Sequence, residues 1–230
     1  MIIAVTGLAR EARLIAGPDV LPVVGGGNAA ALERRLAAAF ESGARRVLSI
    51  GICGALSPDL RVGDTIVASE IVSPSESFPI HGPWSRELAA RLPGAILAPL
   101  AGTDSMIADR DGKARLRAAT RAAAVDMESH IAARFARLQG LPFAALRVVS
   151  DAAGRTLPDA ARVGMHSSGS GAFDVPAVLR SLLRAPAQLP ALIRTAWEAE
   201  IAFAALLRCR RVLHAGFAGA DFGELALDMG

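Results

Sequence analysis

The sequence has few of the residues from which nucleic-acid-binding surfaces are built. Among its 230 residues there is no tyrosine, and aromatic residues make up only 4% of the chain. Proteins that bind single-stranded nucleic acid stack the bases on aromatic side chains, so this composition argues against such a partner. The formal net charge of +3 is also weak evidence for a polyanionic partner. We therefore predict no nucleic-acid partner.

We also expect no disulfide framework, no targeting segment and no membrane span. Its two cysteines, Cys53 and Cys209, are too few for a framework and are typical of a reduced intracellular protein. The first ten residues contain no basic region ahead of the first apolar run. No uncharged stretch reaches the roughly 18 residues that a membrane-spanning helix needs. We therefore expect a soluble, cytoplasmic protein.

Apolar residues are plentiful, and their order predicts alternating strands and helices. Hydrophobic residues form 52% of the chain, which is ample for a core, and the length corresponds to one domain or a domain with an appendage. Short apolar runs at residues 21–24 and 46–50 predict strands, and an Ala-rich helix is predicted between them at 29–41. This alternation predicts an α/β fold with a largely parallel sheet.

The most informative stretch, residues 124–151, predicts a strand, a helix and a second strand. Gly140 ends the helical pattern, and residues 143–149 form an apolar run typical of a strand buried on both faces. Glu128 and Asp151 each follow one of the two strands. Ligands bind at this edge of open α/β sheets, so both carboxylates are candidate site residues. Helix capping and dipole stabilisation explain them about equally well.

Three further positions follow predicted strands. Glu11 begins a helix, where it is either a helix-dipole charge or a catalytic group. Residues 25–28, GGGN, predict a corner that binds an anion or a ribose, although a tight turn would also explain them. Residues 51–55 predict another turn with exposed backbone. Cys53 in that turn is interpreted as a small residue packed beneath a ligand and not as a nucleophile.

The remaining segments carry weaker signals. Residues 73–83 are rich in proline and serine and predict a surface loop, and the sequence loosens again after Asp151. We predict no metal site, because no metal-ligand spacing connects the four histidines, His81, His130, His166 and His214. Residues 176–214 predict apolar helices with six arginines and two glutamates. These helices would pack on the domain or a second subunit, or lie against a membrane or a lipid-like substrate.

Several of these motifs together resemble the nucleoside phosphorylase and nucleosidase superfamily. VDMES at residues 125–129 and ALRVVSD at residues 145–151 resemble its paired signatures. The supporting motifs occur in the family's order: Gly7 with Glu11, the glycine turn with Asn28, GxxGAL at 51–56, VGD at 62–64 and GTDSMI at 102–107. The resemblance covers about residues 1–155. Within the superfamily the chain is most similar to hopanoid-associated phosphorylases and to methylthioadenosine/adenosylhomocysteine nucleosidases.

The resemblance implies a three-layer nucleoside phosphorylase-like fold, in which helices flank a mixed, largely parallel central sheet. We interpret residues 1–175 as the catalytic domain and residues 176–230 as a C-terminal helical extension packed on it. The implied reaction cleaves the N-glycosidic bond of an adenosyl compound, with adenosylhopane in hopanoid biosynthesis as the expected substrate. The alternatives are a methylthioadenosine/adenosylhomocysteine-type nucleosidase, a phosphorolytic purine nucleoside phosphorylase, and a nucleoside- or lipid-binding module without turnover.

The resemblance also implies a role for each site residue. Asp151 is the acid at the departing base, and Glu11 positions or activates water. Glu128 binds the ribose hydroxyls. The other implied substrate-binding residues are Met127 beneath the sugar, Met106 and Ile107 in the base pocket, Ser150 beside the acid, and Gly51, Gly54 and Asn28 in the glycine turns.

Carboxyl groups suit this reaction, because glycosidic cleavage builds positive charge on the sugar and negative charge on the base. No metal or organic cofactor is needed, although inorganic phosphate could be a co-substrate. The sequence shows no clear set of phosphate-binding arginines, with Arg10 the nearest candidate, so Glu11 favours water. The expected partners are a small-molecule or lipid-linked nucleoside, a membrane touched peripherally by the C-terminal helices, and further copies in a homodimer or larger assembly.

Overall fold

A computed structural model describes residues 1–73, 75–165 and 171–213. The strands are β1 (Ile2–Thr6), β2 (Val20–Val24), β3 (Arg46–Ala55), β4 (Thr65–Val72), β5 (Ser77–Pro79), β6 (Ile96–Gly102), β7 (Ala124–Asp126) and β8 (Phe143–Asp151). The helices are α1 (Ala9–Ile15), α2 (Ala29–Glu41), α3 (Gly82–Arg91), α4 (Arg110–Thr120), α5 (Ser129–Leu138), α6 (Asp159–Met165), α7 (Val175–Arg184) and α8 (Leu189–Leu213), with a 3₁₀ turn at Pro186–Gln188.

The strands form one mixed sheet that partly closes on itself. β1 pairs in parallel with β2 and β3, and β3 pairs in parallel with β8. β8 then runs antiparallel to β4, β4 parallel to β6 and β6 parallel to β7, and β7 returns antiparallel to the end of β3. The predicted mixed, largely parallel sheet is confirmed. The closure places the carboxyl end of β3 between β7 and the carboxyl end of β8.

Helices cover both faces of this sheet and create the three predicted layers. One core lies between the sheet and helices α2 and α5, with Leu36 and Ile131 among its buried residues. The second lies against α1, α3 and α8, with Trp84 and Leu206 among its buried residues. Alternate residues of β8 enter the two cores, because successive strand side chains point to opposite faces. The expectation that β8 is buried on both faces is confirmed.

Three segments differ from the sequence prediction. Residues 51–55 continue β3 where a turn was expected, because Gly51 and Gly54 stay paired with β8 and Gly54 also meets β7. The loop at 73–83 contains β5, whose Phe78 is buried against the core. The loose region after Asp151 contains helix α6, which buries two small alanines. β5 and α6 are too short, at three and seven residues, to give a periodic pattern in the sequence.

The C-terminal helices pack on the rest of the chain. Leu206 and Leu213 of α8 lie in the same core as Leu48 and Leu146 of the sheet. No helix in the part of the chain that the structure describes is long and apolar enough to cross a membrane. His166 and His214, two of the four histidines that are predicted to form no metal site, lie outside the described residues. The domain boundary at residue 175 stays a prediction.

Candidate active site

A cavity of about 190 Å³ opens at the end of the sheet where β1, β3, β7 and β8 finish. Eight of the ten residues that the sequence predicted for the site line it: Glu11, Gly54, Met106, Ile107, Met127, Glu128, Ser150 and Asp151. These residues come from five separate elements or loops. The chain therefore brings together groups that are up to 140 positions apart (from residue 11 to residue 151).

The other two predicted residues lie elsewhere. Asn28 is exposed, and its side-chain Oδ1 accepts a hydrogen bond from the Ala31 N–H at 2.9 Å, so it caps α2. Gly26 and Gly27 of the same turn do line the cavity. Gly51 lies beneath the lining, where a Cβ atom would stand 2.5 Å from Glu11 Oε1. Its lack of a side chain makes room for a catalytic candidate and does not provide a direct substrate contact.

Glu11 is held rigidly at the start of α1. Its side chain is 1% exposed, Oε2 accepts a hydrogen bond from the Leu8 N–H at 2.8 Å, and Oε1 accepts one from the Ile52 N–H at 2.7 Å. The carboxyl thus both caps α1 and joins it to β3. Each oxygen keeps a second lone pair, which leaves Glu11 able to accept a hydrogen bond from a water in the cavity.

The Glu128 side chain does not cap α5, because a neighbouring aspartate performs that task. Asp126 Oδ1 accepts hydrogen bonds from the N–H groups of Glu128 (3.1 Å) and Ser129 (2.9 Å) at the start of α5. Room for the Glu128 side chain comes from two glycines. A Cβ on Gly7 would lie 3.0 Å from Glu128 Oε1, and one on Gly25 would lie 2.7 Å from Glu128 Cγ.

A buried arginine that the sequence analysis did not assign to the site joins these acids. Arg147 is fully buried in β8, its Nε lies 2.5 Å from Asp126 Oδ2, and its Nη2 lies 3.7 Å from Glu128 Oε2. Nη2 also donates to Ser49 Oγ at 2.6 Å. The available signal was that Arg147 is the one charged residue in the otherwise apolar run at residues 143–149. Its burial requires such partners.

The site holds more carboxyl groups than cations, and this alters their protonation. Burial raises the pKa of Glu128 to about 8; Arg147 lowers that pKa, whereas Asp126 and Glu11 raise it. Burial also raises the pKa of Glu11, against the opposing effect of Arg147. For Arg147 itself, burial lowers the pKa, but the surrounding carboxyl groups outweigh this and raise it. Glu128 therefore holds its proton more tightly than a solvent-exposed glutamate does, and burial is the main cause.

Asp151, the last residue of β8, forms a second buried cluster. Its carboxyl accepts a hydrogen bond from Ser150 Oγ at 3.0 Å through Oδ1, and its Oδ2 pairs with the ammonium of Lys113. Lys113 lies on α4 and is 1% exposed. The sequence analysis missed Lys113, although a signal was present: it is the only lysine in a chain with 24 arginines.

The remaining candidates have structural tasks. Cys53 lines the cavity, and burial raises the pKa of its thiol well above the ordinary value, which makes it a poor nucleophile. His130 is buried beside Asp104, and His81 Nδ1 caps α3. Among the described residues, no group of three histidine, cysteine, aspartate or glutamate side chains is arranged to hold a metal ion.

Comparison with known proteins gives the same fold and family. Among the solved structures with a similar fold, methylthioadenosine/adenosylhomocysteine nucleosidase from Campylobacter jejuni is 18% identical over 86% of this chain and 98% of its own, with a TM-score of 0.59. A futalosine hydrolase mutant from Helicobacter pylori is 16% identical over 80% and 98%, with a TM-score of 0.60. No curated protein matches the chain. At such low identity these structures show the fold alone.

The family model gives the stronger result because it matches the sequence itself. It is described as the Phosphorylase superfamily and matches residues 1–168, which include every element that contributes the predicted site residues. The chain belongs to the phosphorylase superfamily.

Proposed function

We propose that the protein cleaves the N-glycosidic bond of an adenosyl compound and releases adenine. The observation that carries this proposal is that three carboxyl groups, Glu11, Glu128 and Asp151, are buried around one cavity. Glu11 lies over Gly51 of β3 and Asp151 lies over Gly54. Three strand residues span about 10 Å, so the two acids can face opposite ends of a glycosidic bond and its attached base.

Each carboxyl group then has a distinct task. Asp151 faces the base and gives it a proton as the bond to the sugar breaks, a step that contributes roughly 10²–10⁴-fold to such reactions. Glu128 binds the ribose hydroxyls, and its interaction strengthens as positive charge develops on the sugar. Glu11 orients the attacking water. The similar structures are named as nucleosidases and a futalosine hydrolase, which supports a hydrolytic reaction of this kind.

Water is favoured over phosphate as the nucleophile. The described residues that line the cavity include no lysine or arginine. Arg10, the nearest phosphate-binding candidate in the sequence, pairs instead with Glu200 and stacks on Phe203. Arg147 is covered and already neutralised by carboxyl groups. A phosphate dianion would therefore meet carboxyl groups and no lysine or arginine side chain in the lining, whereas water meets acceptors that can orient it.

The substrate is proposed to carry an apolar group on its adenosyl unit, as adenosylhopane does. Thr195 and Ala199 of α8 line the cavity, while Ile193 and Trp197 on the same helix are 61% and 70% exposed. The cavity thus borders an apolar helix that a small polar nucleoside would not require. A methylthioadenosine-type substrate is the alternative, and it would use the same three carboxyl groups.

The exposed apolar side chains also favour a membrane as partner. Of the fourteen large hydrophobic residues that are exposed in the described part, nine lie between residues 163 and 201. Val175, Leu179 and Leu183 follow one face of α7, and the exposed Arg180 and Arg184 beside them pair with no described carboxylate. An apolar helix face flanked by arginines fits an anionic lipid surface. We further propose that the protein is a homodimer or a larger assembly.

The decisive measurement of the reaction is adenine release from adenosyl substrates, with and without inorganic phosphate. Hydrolysis gives a free ribosyl product in both conditions, and phosphorolysis gives a ribosyl 1-phosphate only when phosphate is present. Asp151→Asn should lower kcat by roughly 10²–10⁴-fold, because the amide cannot supply the proton. Asp111→Asn, the same change at an exposed site on α4, is the matched control.

Circular dichroism must show that the Asp151→Asn variant is folded. Full activity in that folded variant would contradict the assignment of Asp151. Tight binding of an adenosyl compound by the wild type without any adenine release would favour the non-enzymatic nucleoside-binding module.

A further inference from the structure

The only lysine of the chain is buried at the candidate acid and is bound entirely by protein groups. Lys113 Nζ pairs with Asp151 Oδ2 and also donates to the carbonyl oxygens of Ala152 (3.0 Å) and Arg155 (3.3 Å). These three acceptors satisfy its three N–H groups. Burial of a charged lysine is costly and needs such compensation.

Lys113 can reach a substrate only through Asp151. It is not among the residues that line the cavity, whereas Asp151 and Ser150 are. Asp151 presents Oδ2 to the ammonium, and its Oδ1 accepts the Ser150 hydroxyl. The Asp151 carboxyl therefore lies between the buried Lys113 ammonium and the proposed position of the departing base. This order of groups is the geometry of a proton relay.

The reaction requires a proton at the departing base, beside Asp151. When the sugar–base bond breaks, its electron pair stays with the base, and a base nitrogen must gain a proton for neutral adenine to leave. Asp151 is paired at Oδ2 with the Lys113 ammonium and accepts the Ser150 hydroxyl at Oδ1, so a proton that it passes to the base must come from a neighbouring group. The Lys113 ammonium beside Asp151 carries three protons. Arginine could not serve, because a guanidinium is not deprotonated in proteins.

We propose that Lys113 supplies, through Asp151, the proton that the departing adenine takes. In the balanced step the sugar–base bond breaks, one proton passes from Asp151 to the base nitrogen, and one passes from Lys113 Nζ to Asp151. The water that Glu11 orients bonds to the sugar carbon and releases one proton to solvent. The pair is left as a neutral amine beside a carboxylate, and solvent returns one proton to the amine once adenine has left the cavity. Lys113 is thus a positioning residue that acts through Asp151. This inference rests on the proposed function.

The test compares Lys113→Met, Lys113→Arg, Asp151→Asn and the double variant Lys113→Met/Asp151→Asn by adenine release. Lys113→Met and Lys113→Arg should each lower kcat by about 100-fold or more and leave KM within a few-fold, because proton donation is lost while substrate contacts remain. The double variant should be no slower than Asp151→Asn alone, because residues that act as a unit give non-additive losses. The alkaline fall in kcat of the wild type should be absent from Lys113→Met.

The double variant also keeps the test usable if Lys113→Met alone does not fold, since it leaves no unpaired buried charge. The inference is overturned if Lys113→Arg keeps wild-type kcat, which would indicate a purely structural cation, or if the losses in the double variant multiply. Absence of adenine release by the wild type would instead refute the proposed function. The two failures are therefore distinguishable.

Discussion

At the scale of single residues, glycines decide where the acidic groups of the site can lie. A Cβ on Gly51 would stand 2.5 Å from Glu11 Oε1 and 2.6 Å from Arg147 Nη1. Both of these atoms belong to groups that are held by several partners. Neither Glu11 nor Arg147 can move away from an added Cβ atom without breaking a buried hydrogen bond. Gly51 therefore determines the position of Glu11 although it does not line the cavity.

Gly51→Ala should destabilise the protein by about 1–3 kcal/mol through overpacking and should also displace Glu11. A displacement of about 1 Å at such a group lowers turnover on the order of 10²-fold. Chemical denaturation and adenine release measure the two effects. Gly17→Ala is the control, because nothing lies within 4 Å of a Cβ at that position. Equal stability of the two alanine variants would show that the site relaxes around the added methyl group.

The residue scale also shows what the sequence could predict. Glu11, Glu128 and Asp151 were found because they follow strands whose apolar pattern is local. Lys113 was missed because its meaning depends on α4 lying against the end of β8, a contact that spans 38 positions. Asn28 is ambiguous for the opposite reason: its contact with Ala31 is local, and a polar residue after glycines suits a helix cap and a ligand equally.

At the scale of elements, the position of strands and long helices follows from sequence periodicity, and their ends do not. Helix α2 occupies residues 29–41 as predicted. β3 extends five residues beyond its predicted end, since pairing with β8 and β7 overrides the weak strand preference of its two glycines. Short elements such as β5 and α6 carry too few residues for a periodic signal.

Helix α7 gives a prediction at this scale. Wild-type protein should sediment with vesicles that contain phosphatidylglycerol and much less with vesicles of phosphatidylcholine alone. Leu179→Asn/Leu183→Asn should weaken this binding more than ten-fold, because two exposed leucines lose their apolar contact. Arg180→Gln/Arg184→Gln should weaken it by about five-fold per arginine and remove its salt dependence.

The control for the leucine changes is Leu138→Asn, a 73% exposed leucine at the end of α5. It should bind vesicles like the wild type, and all variants should release adenine from a soluble nucleoside at the wild-type rate. Unchanged vesicle binding by the α7 variants would refute the membrane surface. Loss of a dimer in sedimentation experiments, without vesicle binding by the wild type, would identify α7 as a contact between subunits instead.

At the scale of the whole molecule, the crowded carboxyl groups link stability to pH. The pKa of Glu128 is raised from 4.5 to about 8 in the folded protein, so the folded state binds this proton more tightly than the unfolded chain does. Stability from this group is therefore fully present below about pH 4.5 and declines as pH rises towards about 8. Burial raises the pKa of Glu11 in the same direction.

Glu128→Gln should flatten this dependence, because the amide resembles the protonated carboxyl and does not titrate. Measured by calorimetry, the Tm of the wild type should fall relative to that of Glu128→Gln between about pH 4.5 and 8. Asp111→Asn should follow the wild type throughout. Parallel curves for the wild type and Glu128→Gln would show that Glu128 is ionised in the folded protein at neutral pH.

Arg147 lies among three buried acids, Glu11, Asp126 and Glu128, so the negative charge of the cavity depends on the ligand that binds there. A neutral ligand leaves the proton on Glu128, but a ligand with positive charge on its sugar favours release of that proton, because the carboxylate then has a partner. Binding of such a cation must therefore expel a proton, and its affinity must increase with pH towards about 8. The cavity then binds the positively charged sugar of the reacting substrate more tightly than the neutral sugar of the unreacted substrate.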